Sequence, residues 1–282
     1  GDEDDGSITL LDSASWSQLA FVWGVPTLFA YVAYRKRSVD WTGAVGGWLV
    51  AFSCCLAGFQ YMATLLFFFV SSTILTRYGS KRKRKLEDNY KEGGQRNWLQ
   101  VFCNGLTGSV CCLVIAFIHP HHPLRTPLTA AFIAHYACCC GDTWASETGL
   151  AVPGALSKPV LITTGRQCPV GTNGGISVVG TVASALGGLC IGLCYWACSS
   201  GDLTFVGAVG LGLGAGAGGS MVDSVLGATV QFSGWNNRTQ RVVNEPGEGV
   251  TRISGRNLLD NHAVNFASSL ITASAAYYWL LP

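Results

Sequence analysis

Charge is what this chain has least of. Asp, Glu, Lys and Arg together make up 12% of its 282 residues, about half the share usual in a soluble domain, while 49% are hydrophobic. With a mean hydropathy of +0.34, that balance points to a bilayer rather than to water. The net charge of +2 says little, and where the charges fall says more. Other absences narrow the chemistry. No CxxC pair occurs among the twelve cysteines, and nothing has zinc-site spacing. Most of them (Cys54, Cys55, Cys111, Cys112, Cys138 to Cys140, Cys190, Cys194 and Cys198) sit inside apolar runs and read as small packing residues. No Gly-Lys-Ser/Thr follows a glycine-rich loop, dinucleotide-binding glycine spacing is missing, and no Ser-His-Asp or Cys-His arrangement is readable.

What is present is apolar length. Runs long enough to span a bilayer occur at about 16–34, 42–58, 60–76, 99–118, 127–145, 174–198, 203–230 and 262–281. The second and third are nearly fused around Gly58-Phe59-Gln60, but the stretch from Trp41 to Gly79 is too long for one crossing. The expected fold is all-α, a polytopic transmembrane helix bundle of about eight helices. Residues 1–15 form a polar N-terminal segment and 16–282 a single transmembrane domain. Placing the connections on alternate sides gathers Arg35-Lys36-Arg37 and loops 77–97, 146–173 and 231–261 on one face. Of the 18 Lys and Arg, Arg125 alone falls on the other. Because Lys and Arg accumulate in cytoplasmic loops, the long loops are expected in the cytosol. The acidic tail Asp2-Glu3-Asp4-Asp5 and the turn His119-Pro120-His121-His122 then face the lumen. On this topology the sequon Asn237-Arg238-Thr239 stays unmodified. The run Lys81 to Lys85 reads as attraction to anionic lipid, not to nucleic acid. An endoplasmic reticulum or other endomembrane location is expected.

Every polar cluster of interest falls on the cytosolic face. The central one is Gly141-Asp142-Thr143-Trp144-Ala145-Ser146-Glu147, which follows an apolar run and opens a long polar loop. Ionisable groups at membrane depth are expensive and usually face a polar cavity or a bound ion. If the helix continues, Asp142 and Ser146 share a face while Glu147 is rotated away. That suits one carboxylate on magnesium and a second reached after the helix ends; the plain alternative is a helix C-terminus capped by Gly149. Lys91 to Trp98 leads into a helix carrying Asn104, and Lys91 and Arg96 suit phosphate oxygens. Pro169 to Gly175, with Arg166 upstream, places Thr172, Asn173, Gly174 and Gly175 at the start of the sixth helix, where free N–H groups favour an anion. Asp223, Gly227 and Gln231 share a stripe near the end of the seventh. Upstream of it, Gly212, Gly214, Gly216, Gly218 and Gly219 read as close helix packing. Asp260 begins the last helix as its N-cap or as a ligand. Together these point to magnesium-assisted phosphate chemistry beside lipid. Spacing does not separate a kinase from a nucleotidyltransferase, or either from a transporter.

The runs Tyr90 to Trp98, Gly141 to Glu147, Pro169 to Gly175, and Val222-Asp223-Ser224 with Leu226-Gly227-Ala228-Thr229, in that order, closely resemble the transmembrane protein 19 family. This integral-membrane family includes the plant phytyl phosphate kinase, and the resemblance extends from the second helix to the last. It implies a kinase that uses magnesium and CTP, or another nucleoside triphosphate, to convert an isoprenyl monophosphate (geranylgeranyl, farnesyl or phytyl) into its diphosphate. On that reading Asp142, Glu147 and Asp223 hold the metal. Lys91, Arg96 and Arg166 offset phosphate charge, and the N–H groups of Thr172 to Gly175 cradle the donor. Glu92, Gln95, Asn97, Asn104, Ser146, Ser224, Thr229, Asp260, Asn261 and Asn265 complete the nucleotide and substrate contacts. The family pattern has Asn where this chain has His262, which argues against a ligand role there, and it implies a further helix before residue 1. A cytidylyltransferase acting on a lipid phosphate, and a non-enzymatic transporter or scaffold, remain the alternatives.

Overall fold

The computed structural model describes residues 15–80, 82–83, 94–199, 201 and 203–281. Ser15 starts the first helix with a reciprocal cap, its hydroxyl accepting from the Gln18 N–H while the Gln18 side chain accepts from the Ser15 N–H. From there α1 (Trp16–Leu19) passes through a π-helical turn at Ala20–Gly24 into α2 (Val25–Arg35). Pro26 has no N–H to donate to the turn before it, and the helical ladder changes register there. Next come α3 (Trp41–Ala57) and α4 (Phe59–Arg77), separated by Gly58 at φ +137°, the break expected from the sequence. The fourth expected span is two helices, α5 (Trp98–Cys103) and α6 (Leu106–Phe117). Between them the Asn104 side chain donates back to the Gln100 carbonyl, and the Asn104 carbonyl lies 3.0 Å from His135 Nε2. The bundle is completed by α7 (Arg125–Ala151), α8 (Val178–Cys198), α9 (Phe205–Thr229) and α10 (Asn261–Trp279). Among the described residues α4, α8 and α9 are long and apolar enough to cross a membrane, and α3 and α6 are shorter apolar helices. The chain is a mostly helical, multi-pass membrane protein.

Two expectations about the loops need correction. The helix carrying Asp142 does not end near residue 145 but runs to Ala151, so Ser146 and Glu147 are helical. The sixth helix starts at Val178 with Ser177 as its cap, so Gly174 and Gly175 precede it. The connections also carry strands: β1 (Val160–Leu161) pairs antiparallel with β2 (Gly175–Ile176). In the next loop β3 (Ser233–Asn236) lies between β4 (Arg241–Val243) and β5 (Val250–Ser254).

The centre of the bundle is α7, in which every residue from Thr129 to Gly141 is buried. A helix apolar all round belongs in a core. Its neighbours approach to backbone contact. A Cβ added at Gly216 would stand 2.6 Å from the Gly188 Cα and 2.7 Å from the Ser184 carbonyl; one at Gly141 would stand 2.7 Å from the Gly216 carbonyl. Of the glycines read as packing, Gly212, Gly216 and Gly219 do face a neighbour. Gly214 and Gly218 have nothing within 4 Å. All twelve cysteines are free thiols.

The alternate connections meet at one end. The Arg77 guanidinium donates to the Lys36 carbonyl and the Ser38 hydroxyl, and the Asp40 N–H to the Arg96 carbonyl. Arg82 Nε donates to the Leu150 carbonyl at the end of α7, a favourable place for a cation. The opposite end is closed by Tyr61, whose hydroxyl is 2.8 Å from that of Thr129.

Candidate active site

A cavity of about 600 Å³ opens at the polar end, between α2–α5 on one side and α7–α10 on the other. Asp142 of α7 and Asp223 of α9 meet on its wall because glycine contacts draw those two helices together. Asp223 is the charged neighbour of Asp142, and Ser220, one turn before Asp223, lines the cavity beside them. Ser268 of α10 donates to Asp223 Oδ2 at 2.9 Å. Ser224, Asn261 and Asn265 line the same wall.

Glu147 does not join them. Five residues beyond Asp142 it has turned toward α4, where Oε1 accepts from Thr76 Oγ1 at 2.6 Å and Oε2 pairs with Lys83 Nζ. Lys83 is 1% exposed and donates also to the Leu75 and Thr76 carbonyls. Asp142, Glu147 and Asp223 were expected to hold one or two magnesium ions. Among the described residues no group of three or more His, Cys, Asp or Glu is placed to hold an ion. Magnesium commonly takes only one or two carboxylates and completes its shell with water and substrate phosphate. Two facing carboxylates in a poorly solvated wall also repel each other unless a cation joins them. Asp142 and Asp223 therefore fit such an ion, and Glu147, committed to Lys83, does not.

The glycine turn also departs from expectation. It lines the cavity, but three of its four N–H groups are taken: Thr172 donates to the Pro169 carbonyl, Asn173 to the Ser233 hydroxyl and Gly175 to the Thr172 carbonyl. A turn with three of four donors already taken is not the four-donor phosphate cradle expected. Its glycine serves contact instead. Gly174, at φ +76°, sits against the backbone of Ser224 and Ala228, where a side chain has no room. Asn173 ties the turn to the β3–β5 sheet, its Nδ2 donating to the Phe232 carbonyl and to Asn244 Oδ1, each at 3.0 Å.

Across the cavity, Arg96 Nη1 donates to Thr73 Oγ1 at 3.0 Å, and the guanidinium lies 5.2 Å from the centre of the Phe69 ring. Burial lowers its pKa to about 10, against the opposing pull of Glu147, so it stays charged at neutral pH. Gln95 is also on this wall, donating to the Val39 carbonyl. Asn104 and Ser146 line the cavity too, with their side chains turned to the Gln100 and Thr143 carbonyls.

Four expected residues are elsewhere. Asn97 and Asp260 cap α5 and α10 by accepting from the Gln100 and Ala263 N–H groups. Thr229 donates back to the Val225 carbonyl, and Arg166 is exposed in the β1–β2 hairpin. Lys91 and Glu92 lie outside the described residues. Conversely, Lys83, Ser220 and Ser268 take part in the site or its wall and were not among the expected site residues. Lys83 was hidden inside a basic run, and the serines inside apolar helices. His262 stands on the wall although the family pattern argued against it, and its Nδ1 has no partner among the described residues.

The sequence profile of the family described as integral membrane protein DUF92 matches residues 24–273. The chain belongs to this family. It is the transmembrane protein 19 family to which the sequence runs pointed. Among members of DUF92, the chain is similar to Protein PGR of Arabidopsis thaliana, 38% identical over 93% of this chain and 96% of that protein. An uncharacterized membrane protein of Synechocystis is 33% identical over 82% of this chain and 90% of its own length. Another, from Methanocaldococcus jannaschii, is 29% identical over 73% and 81%. No solved structure matches.

Proposed function

We propose that the chain is a magnesium-dependent lipid kinase that moves a phosphoryl group from CTP, or another nucleoside triphosphate, to an isoprenyl monophosphate at the cytosolic membrane face. One observation carries this reading: Asp142 and Asp223 are paired on one wall of a cavity whose other wall is largely apolar. A phosphate chain and a lipid can reach each other there. Asp142 and Asp223 would hold magnesium, which when bound supplies the charge neutralisation that phosphoryl transfer needs more than a covalent nucleophile. Ser268 orients the Asp223 carboxylate. Arg96 offsets the charge of the acceptor. Because the acceptor monophosphate is already ionised, no side chain has to remove a proton. One of its oxygens bonds to the terminal phosphorus of the donor as the link from that phosphorus to the bridging oxygen breaks. The nucleoside diphosphate leaves and the lipid departs as its diphosphate. Lys36, Arg77, Arg82 and Arg96 gather at the end that carries the cavity, which supports a cytosolic orientation.

The test is nucleotide turnover by purified protein with magnesium and geranylgeranyl phosphate, comparing CTP with ATP. The expected products are lipid diphosphate and nucleoside diphosphate. Asp142→Asn and Asp223→Asn should each slow turnover by more than about 100-fold, roughly 2.7 kcal/mol of barrier, without lowering the melting temperature. CDP-linked lipid with inorganic diphosphate would make the protein a cytidylyltransferase instead. Ordinary turnover by either variant would sink the assignment.

A further inference from the structure

The wall opposite the carboxylates has an order of its own. Leu65, Phe69 and Thr76 of α4 all line the cavity. At positions i, i+4 and i+11 they fall within about 40° of one another and span about 16 Å along the helix. The stripe is apolar at one end and polar at the other. Phe29 of α2 packs edge-on over its apolar part, with ring centres of Phe29 and Phe69 4.9 Å apart. At the polar end the Arg96 guanidinium lies over the same Phe69 ring and donates to Thr73, one turn further on. Lys83 has Glu147 for a counter-ion. Arg96 forms no salt bridge among the described residues, and Glu147, which acts on its charge from beyond salt-bridge distance, is already held by Lys83. A guanidinium facing a cavity in a low-dielectric wall, without its own counter-ion, is a site for an anion, and its planar fork suits phosphate oxygens.

We propose that the α2–α4 wall is a slot for an amphiphile with a single phosphate head. The head sits on Arg96 and the tail runs from Phe69 toward Leu65, beneath Phe29. This names the acceptor half of the reaction and rests on the kinase reading for its place in it. The donor then belongs to the opposite wall, at Asp142 and Asp223.

The slot is tested without nucleotide or magnesium. The full chain in nanodiscs of zwitterionic lipid is titrated with dodecyl monophosphate, dodecanol and inorganic phosphate, and binding is followed by thermal shift and native mass spectrometry. Dodecyl phosphate should bind at least about tenfold more tightly than either fragment, because head and tail both contribute. Arg96→Gln should remove at least about tenfold of that affinity, and Arg96→Lys, which keeps the charge without the fork, should fall between. Asp223→Asn should leave it within about twofold, since this carboxylate is on the other wall. Equal binding by Arg96→Gln overturns the proposal, as does equal affinity for inorganic phosphate, or a loss confined to Asp223→Asn. If Arg96-dependent binding holds while no lipid diphosphate forms in the turnover assay, the slot stands and the kinase reading fails.

Discussion

Helices α7–α10 and helices α2–α4 pack in opposite ways. In the first group the contacts are backbone on backbone: Gly188 against Gly212 and Gly216, Gly141 against Gly216. In the second they are ring on ring. Trp23, in the π-helical turn leading into α2, meets Trp48 and Phe52 at centroid distances of 5.8 and 5.0 Å, and Phe29 meets Phe69. Lipid supplies no hydrophobic drive between helices, so close van der Waals contact through small residues has to hold a membrane bundle together. Backbones in contact cannot slide without collision, and this half positions the two carboxylates. Rings can turn about their side-chain bonds and leave gaps between helices, and this half provides the apolar wall. The rigid half carries the charge, and the adaptable half faces the lipid.

The sharpest way to break this comparison is to add bulk at the crossing. Gly216→Leu should destabilise the protein by about 3 kcal/mol or more, because the neighbouring backbones cannot relax. Gly214→Leu, two positions away and facing open space, should stay within about 0.5 kcal/mol. Melting temperatures in one detergent separate the two, and similar losses would mean that the crossing does not govern stability. The link between the halves comes next. Lys83→Met strands the Glu147 carboxylate in a poorly solvated place and should remove about 3 kcal/mol, while Lys83→Met with Glu147→Leu recovers most of it. A single variant as stable as the parent would show that the pair is solvated. The smallest effect is expected at the far end. Tyr61→Phe deletes the hydroxyl that meets Thr129 and should lower stability by about 1 kcal/mol with nucleotide turnover unchanged. A tenfold loss of turnover there would reveal coupling between the two ends of the bundle.

Apolar run length and the placement of Lys and Arg were sufficient to find most of the helices and to bring the right connections to one end. The break at Gly58 was readable because a glycine interrupts an apolar run that is too long for one crossing. The split at Asn104-Gly105 was not, since it depends on Asn104 folding onto its own turn and meeting His135 from another helix. The continuation of α7 past Gly141 was ambiguous for a similar reason: polar residues after an apolar run read as a loop until a neighbouring helix is there to receive them.

The candidate site divides in the same manner. Asp142 and Asp223 stand out in the sequence because a carboxylate inside an apolar run is costly wherever it ends up. Their pairing follows from which glycines touch, and of five packing glycines near Asp223 only the neighbours in space reveal which ones do. Glu147 stood out as strongly and yet belongs to Lys83, a residue indistinguishable in sequence from the rest of its basic run. Thr172 to Gly175 had the composition of an anion-binding turn, but hydrogen bonds to Pro169, Ser233 and Thr172 itself occupy three of its donors. Sequence by itself determined the membrane, the helical class, the family and the end that carries the polar residues, because these depend on local composition and on motifs in order. Tertiary structure decided which charges face one another, which are neutralised and which stay open to a ligand. Electrostatic pairing acts over a few ångströms in space, and residues far apart in the chain become neighbours only when the helices pack.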